Sequence, residues 1–80
     1  MSAQLTPADR IAERLAAYLG PNTARTAVRT FSDRELGLRA ETVGRAEAPR
    51  LVEALRPMLR TLLGATAADR VVTELMEELR

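Results

Sequence analysis

Cysteine, histidine and tryptophan are missing from this 80-residue chain, lysine is missing as well, and Tyr18 and Phe31 are the only aromatic residues. Without cysteine there are no disulfides and no thiol chemistry, and nothing calls for an oxidising compartment. Without histidine there is no imidazole for acid–base work, and the two absences together remove the nitrogen and sulfur ligands of zinc sites. The chain holds no glycine-rich phosphate loop and no nucleophile elbow, and its only serines, Ser2 and Ser32, have no histidine to activate them. The closest carboxylate pairs, Glu77 with Glu78 and Asp33 with Glu35, are one or two positions apart. On a helix they point in different directions and form no acid–base dyad. The expectation is a protein that is not an enzyme and needs no cofactor, metal or small-molecule ligand. No window approaches the roughly 18 apolar residues of a membrane helix, and Met1 to Pro7 lacks a basic stretch followed by an apolar run. A cytoplasmic location with no membrane partner is expected.

Twelve basic residues face eleven acidic ones, a net charge of +1, too little to attract nucleic acid or an anionic membrane through the overall field. All the basic residues are arginine, and alanine and leucine abound, a bias expected of a GC-rich bacterial genome. Eighty residues fit one domain, 1–80, with one core. Cores of this size supply only about 3 to 5 kcal/mol net, so a homo-oligomer is a plausible state.

Apolar spacing divides the chain into four helices. Thr6 as N-cap, Pro7 in the first turn and Asp9 as the third helical residue open a helix over 7–19, with Ile11, Leu15, Tyr18 and Leu19 on one face. Gly20 and Pro21 stop it. Asn22 is expected to cap a second helix over 23–36, with Ala24, Ala27, Val28 and Phe31 inward and Thr and Arg outward. Gly37 is its expected C-cap, although Ser32 and Asp33 compete for backbone hydrogen bonds and offer an end one turn earlier. The third helix, 46–63, carries the richest apolar face: Leu51, Val52, Leu55, Met58, Leu59, Leu62 and Leu63. Pro57 lies inside it without a slip in phase, which predicts a kink rather than a break. Gly64 ends it, and Thr66 with Asp69 predicts a second capping box opening a helix over 66–79, with Val71, Val72, Leu75, Met76 and Leu79 inward. The fold expected is all-α, a compact four-helix domain with a proline-kinked third helix. The segments beginning at Thr6 and Thr66 echo one another, which either an internal duplication or shared capping logic explains.

Charge is unevenly spread. From Asn22 to Gly64 eight arginines face five acids, whereas in the last helix Asp69, Glu74, Glu77 and Glu78 outnumber Arg70 and Arg80. Two copies could pair head to tail through this asymmetry, or Arg25 and Arg29, one turn apart, could present a basic strip to a partner, with Arg56 and Arg60 as a second such pair. The plain alternative is solvated helix faces with local salt bridges.

Glu35-Leu-Gly-Leu-Arg-Ala-Glu-Thr-Val-Gly-Arg45 resembles the turn and first recognition-helix residues of helix-turn-helix regulators of the catabolite-activator type. That resemblance implies DNA binding by residues 38–48, with Arg39, Glu41, Thr42 and Arg45 as readers in the major groove. A broader likeness runs through Tyr18-Leu-Gly-Pro-Asn-Thr-Ala-Arg-Thr-Ala-Val28 and Leu55-Arg-Pro-Met-Leu-Arg-Thr-Leu-Leu-Gly64. These segments resemble small helical accessory modules of bacterial signalling proteins, in which Gly-Pro punctuates the helices. What this implies is a regulatory or assembly module with no catalytic residues. The main expectation is a non-catalytic protein-interaction or oligomerisation module, an adaptor in a bacterial signalling or assembly system, whose partner is another protein or a second copy. The alternative is the DNA-binding regulator.

Overall fold

The computed structural model describes residues 6–79, and in them the chain forms α1 (Pro7–Leu19), α2 (Pro21–Phe31), α3 (Ala48–Leu63) and α4 (Ala65–Glu78), with no strand. The all-α four-helix expectation is met. A radius of gyration of 11.5 Å matches the ~12 Å of a compact domain of this length.

The four helices make two hairpins, each folded at a single glycine. Gly20 (φ 86°, ψ 154°) and Gly64 (φ 88°, ψ 160°) have nearly the same conformation. Each amide closes the last turn of the helix before it, Gly20 onto the Ala16 carbonyl and Gly64 onto the Arg60 carbonyl, both at 2.9 Å. Each carbonyl then accepts the first bond of the following helix, from Ala24 at 3.0 Å and Ala68 at 2.9 Å. One residue thus serves as C-cap and N-cap together. Asn22 and Thr66 consequently lie within the first turns of α2 and α4 rather than capping them, and neither helix has a side-chain cap. At α1 the capping box forms as expected, with Thr6 Oγ1 accepting from the Asp9 amide at 3.1 Å and Asp9 Oδ2 accepting from the Thr6 amide at 3.2 Å.

Superposing Gly20 on Gly64 in sequence also superposes the buried positions. Ala8 falls on Val52, Ile11 on Leu55, Leu15 on Leu59, Ala24 on Ala68 and Val28 on Val72, and all ten are buried. The internal correspondence is therefore between hairpin and hairpin. The echo of Thr6 and Thr66 pairs a residue preceding the first helix with one inside the last, so it is not the repeat.

The α-geometry of α2 ends at Phe31, and a π-helical turn over Ser32–Leu36 carries the chain on to Gly37, whose left-handed backbone (φ 65°) ends the run. The α-helix thus stops at the earlier end that Ser32 and Asp33 offered, and the π turn covers the rest of the expected span to residue 36. Leu38 to Glu47 then cross the molecule as a connection containing one 3₁₀ turn, Ala40–Thr42, pinned to the core by the buried Val43. Glu47 Oε1 accepts from the Gly44 amide at 2.9 Å, tightening the turn that leads into α3 at Ala48, two residues later than expected.

Helix α3 runs unbroken through Pro57, and Ala48, Leu51, Val52, Leu55 and Leu59 are fully buried on it. They meet Ile11, Leu15, Val71 and Leu75 in one core. Two residues expected inside are outside: Tyr18 is 42% exposed and Leu62 54%. Tyr18 lies at the edge of the α1 face, where its hydroxyl reaches Glu74 (Oε1, 3.1 Å) on α4 instead of entering the core. Leu62 lies in the last turn of α3, where no other element covers it.

A candidate docking surface along α2 and α3

The outward arginines are carried by two elements, Arg25 and Arg29 one turn apart on α2 and Arg56 and Arg60 on α3. Arg25 stands beside Asp9 and Glu13 in a shallow groove between α1 and α2. Arg29 lies one turn on, in a different concavity. Arg60 is exposed on α3. Arg56 is committed inside the molecule: its Nε and Nη2 donate to both Glu53 carboxylate oxygens at 3.0 and 3.1 Å, and its Nη1 donates to Asp69 Oδ1 on α4 at 2.7 Å. The Arg56 guanidinium holds the Glu53 carboxyl below its ordinary range, and Glu53 in turn raises Arg56. Arg56, expected as a partner contact, thus bridges α3 and α4, and the Asp69 carboxylate expected in a capping box is the one it uses.

The acids of α4 are consumed in the same way. Glu78 takes Arg14 at 3.1 Å and Arg10 at 3.5 Å, and Glu74 accepts from Tyr18, whose hydroxyl is raised above its ordinary range chiefly by that hydrogen bond. The acidic face expected to receive a second copy's arginines is largely occupied by the chain's own α1 and α3. Seven of the described arginines make no ion pair. Among the described acids, only Glu13, Asp33, Glu35 and Glu77 remain outside an ion pair, a cap or a hydrogen bond. The charge left for a partner is basic.

The DNA-reading alternative requires Arg39, Glu41, Thr42 and Arg45 on one α-helix. Residues 38–47 form no such helix: Arg39 precedes the 3₁₀ turn, Glu41 and Thr42 lie in it, and Arg45 lies in a separate turn beyond Val43. Thr42 Oγ1 donates to the Arg39 carbonyl at 2.8 Å, and the Arg39 guanidinium faces Glu41 at 3.9 Å. Val43, in the middle of the segment, is buried in the core.

Two adjoining concavities remain. The first runs between α2 and α3 and is lined by Thr23, Thr26, Ala27, Thr30, Phe31 and Met58. Phe31 and Met58 are half-buried there, and the exposed Leu62 follows Met58 by one turn on the same face of α3. The second, about 570 Å³, lies where α2 passes through its π turn into the connection, and Arg29, Arg34 and Arg39 line it with Asp33, Glu41 and Leu38. Thr30 borders both. The threonines expected to face outward line the first concavity, and Arg34, which no sequence pattern singles out, lines the second. Only the position of the connection brings Arg39 to Arg29, and a helical spacing rule carries no signal for that.

No described residues cluster as a set of three or more acidic metal ligands, and no described helix is long and apolar enough to cross a membrane. Compared with family models, curated proteins and solved structures, the chain matches none, so the case for its function stands on this surface alone.

Proposed function

We propose that this chain is a non-catalytic protein-interaction module, of the adaptor kind that serves a bacterial signalling or assembly system, and that it receives a helical segment of a partner in the groove between α2 and α3. The observation that carries this reading is that Phe31 and Met58, both only partly buried, line one groove, with the exposed Leu62 one turn beyond Met58 on α3. Helix-in-groove recognition needs this arrangement: an apolar trough between two rigid helices, read by partner side chains at i, i+3, i+4 and i+7. Phe31 and Met58 offer the aromatic and adaptable apolar contacts that dominate such interfaces.

The test is a selection from a displayed library of amphipathic helical peptides on the whole chain, repeated on a groove variant, Met58→Glu with Leu62→Gln. Peptides that bind the parent and lose at least ~10-fold on the variant, while both proteins melt cooperatively with the same helical content, support the reading. A selection in which every recovered peptide binds parent and variant alike sinks it.

A further inference from the structure

Resting on that docking reading, we propose that the partner is an amphipathic helix with an acidic first turn, lying antiparallel to α2 so that this turn meets Arg29, Arg34 and Arg39. The apolar groove and the arginine-lined concavity join at Thr30, so one ligand can occupy both. The groove is lined on α2 from Asn22 to Phe31, which at 1.5 Å per residue is roughly 14 Å, about two and a half helical turns. The arginines stand at its far end, next to the C-terminus of α2. Among the described residues Arg39 has one ion pair, the long one to Glu41, and Arg29 and Arg34 have none.

Charge complementarity selects the occupant. Three guanidinium groups against Asp33 and Glu41 call for carboxylates, and guanidinium binds these in a planar, two-pronged geometry. A second copy of this chain is a poor source of them, because on its acidic helix Asp69, Glu74 and Glu78 are held by Arg56, Tyr18, Arg10 and Arg14, and the uncommitted Glu77 lies in the last turn rather than the first. Nucleic acid would answer the arginines but not the apolar trough beside them. In a helical partner, carboxylates are favoured in the first turn, where the positive end of the helix dipole stabilises them. That places the partner's N-terminus at the arginines and its direction opposite to α2.

The probe is a helical peptide library with fixed leucines at i, i+3, i+4 and i+7 and every other position drawn from Glu, Gln and Lys. It is selected in parallel on the parent chain, on the Arg29→Gln/Arg34→Gln/Arg39→Gln variant, and on the groove variant above. The expected result is enrichment of Glu in the first turn on the parent, a return to library frequency on the arginine variant, and a loss of about 10-fold in affinity there that shrinks as salt is raised. Groove-dependent peptides with no charge preference, or with Glu enrichment that survives the arginine substitutions, overturn this proposal and leave the docking reading standing. Absence of groove-dependent peptides overturns the docking reading itself. Capture of a duplex oligonucleotide that is lost in the arginine variant, without Glu preference among peptides, overturns the proposal in favour of a nucleic-acid partner. Should the triple variant unfold, Arg34→Gln with Arg39→Gln makes the same comparison without altering α2.

Discussion

Ser32 has no exposed surface, and its Oγ makes no hydrogen bond among the described residues. It stands four residues after the buried Val28, so the phase of α2 carries it inward at the point where the helix widens into its π turn. A buried hydroxyl without a partner costs about 1 to 3 kcal/mol of desolvation. Ser32→Ala is therefore expected to raise stability by about 1 kcal/mol, seen as a higher urea midpoint with an unchanged slope. A lower midpoint would mean that the hydroxyl finds a partner in solution and that the π turn depends on it. Sequence spacing made most of the inner residues legible, since Ile11, Leu15, Leu55 and Leu75 all lie where the helical period put them. It erred at the edges of each face, where Tyr18 has the right phase but a hydroxyl that binds Glu74, and at Val43, which is buried from a connection with no period to read.

The hairpin corners set the element scale. With φ near +86° and ψ near 155°, Gly20 and Gly64 occupy a region that side-chain-bearing residues reach only at about 1 to 3 kcal/mol, and open space around both glycines rules out a clash as the cause. Gly20→Ala and Gly64→Ala should each lose stability within that range by chemical denaturation, and equal losses at the two sites would match the equivalence of the two hairpins. The stops were legible because Gly-Pro and Gly after an apolar run are punctuation. The start of α1 was legible in its capping box, but that of α4 was not, because a local capping rule cannot register that Arg56, thirteen residues away, takes the Asp69 carboxylate. At the centre, Leu55→Ala or Leu59→Ala removes a fully buried side chain from α3 and should cost about 2 to 5 kcal/mol, enough to unfold the domain in circular dichroism melts. The ion pair on α3 adds a pH signature. Glu53 is lowered from its ordinary value of 4.5 in the folded chain, so the stability it contributes is present above that value and is lost as pH falls through the lower, folded-state value. The stability difference between the parent and Glu53→Gln should therefore be constant at neutral pH and vanish in acid. A difference that persists at low pH would separate it from this ion pair.

For the whole molecule, the near-zero net charge conceals an uneven use of the charges. Read along the chain, the basic middle and the acidic last helix invited head-to-tail pairing of two copies. Folding brings α4 against α1 and α3, where Glu74, Glu78 and Asp69 meet Tyr18, Arg10, Arg14 and Arg56 within the same chain. That pairing depends on which helices become neighbours, so neither composition nor spacing could reveal it, and it leaves Arg29 and Arg34 beside the α2–α3 groove outside it. Two copies facing each other would then repel through these arginines without an acidic face to answer them. Light scattering across a concentration series is expected to give a monomer of 8.8 kDa at both ~50 and ~500 mM salt. A dimer that forms only at high salt would show that the apolar groove can pair with itself once the repulsion is screened. A dimer already present at low salt would mean that a second copy occupies the groove, and the acidic partner helix would lose its place.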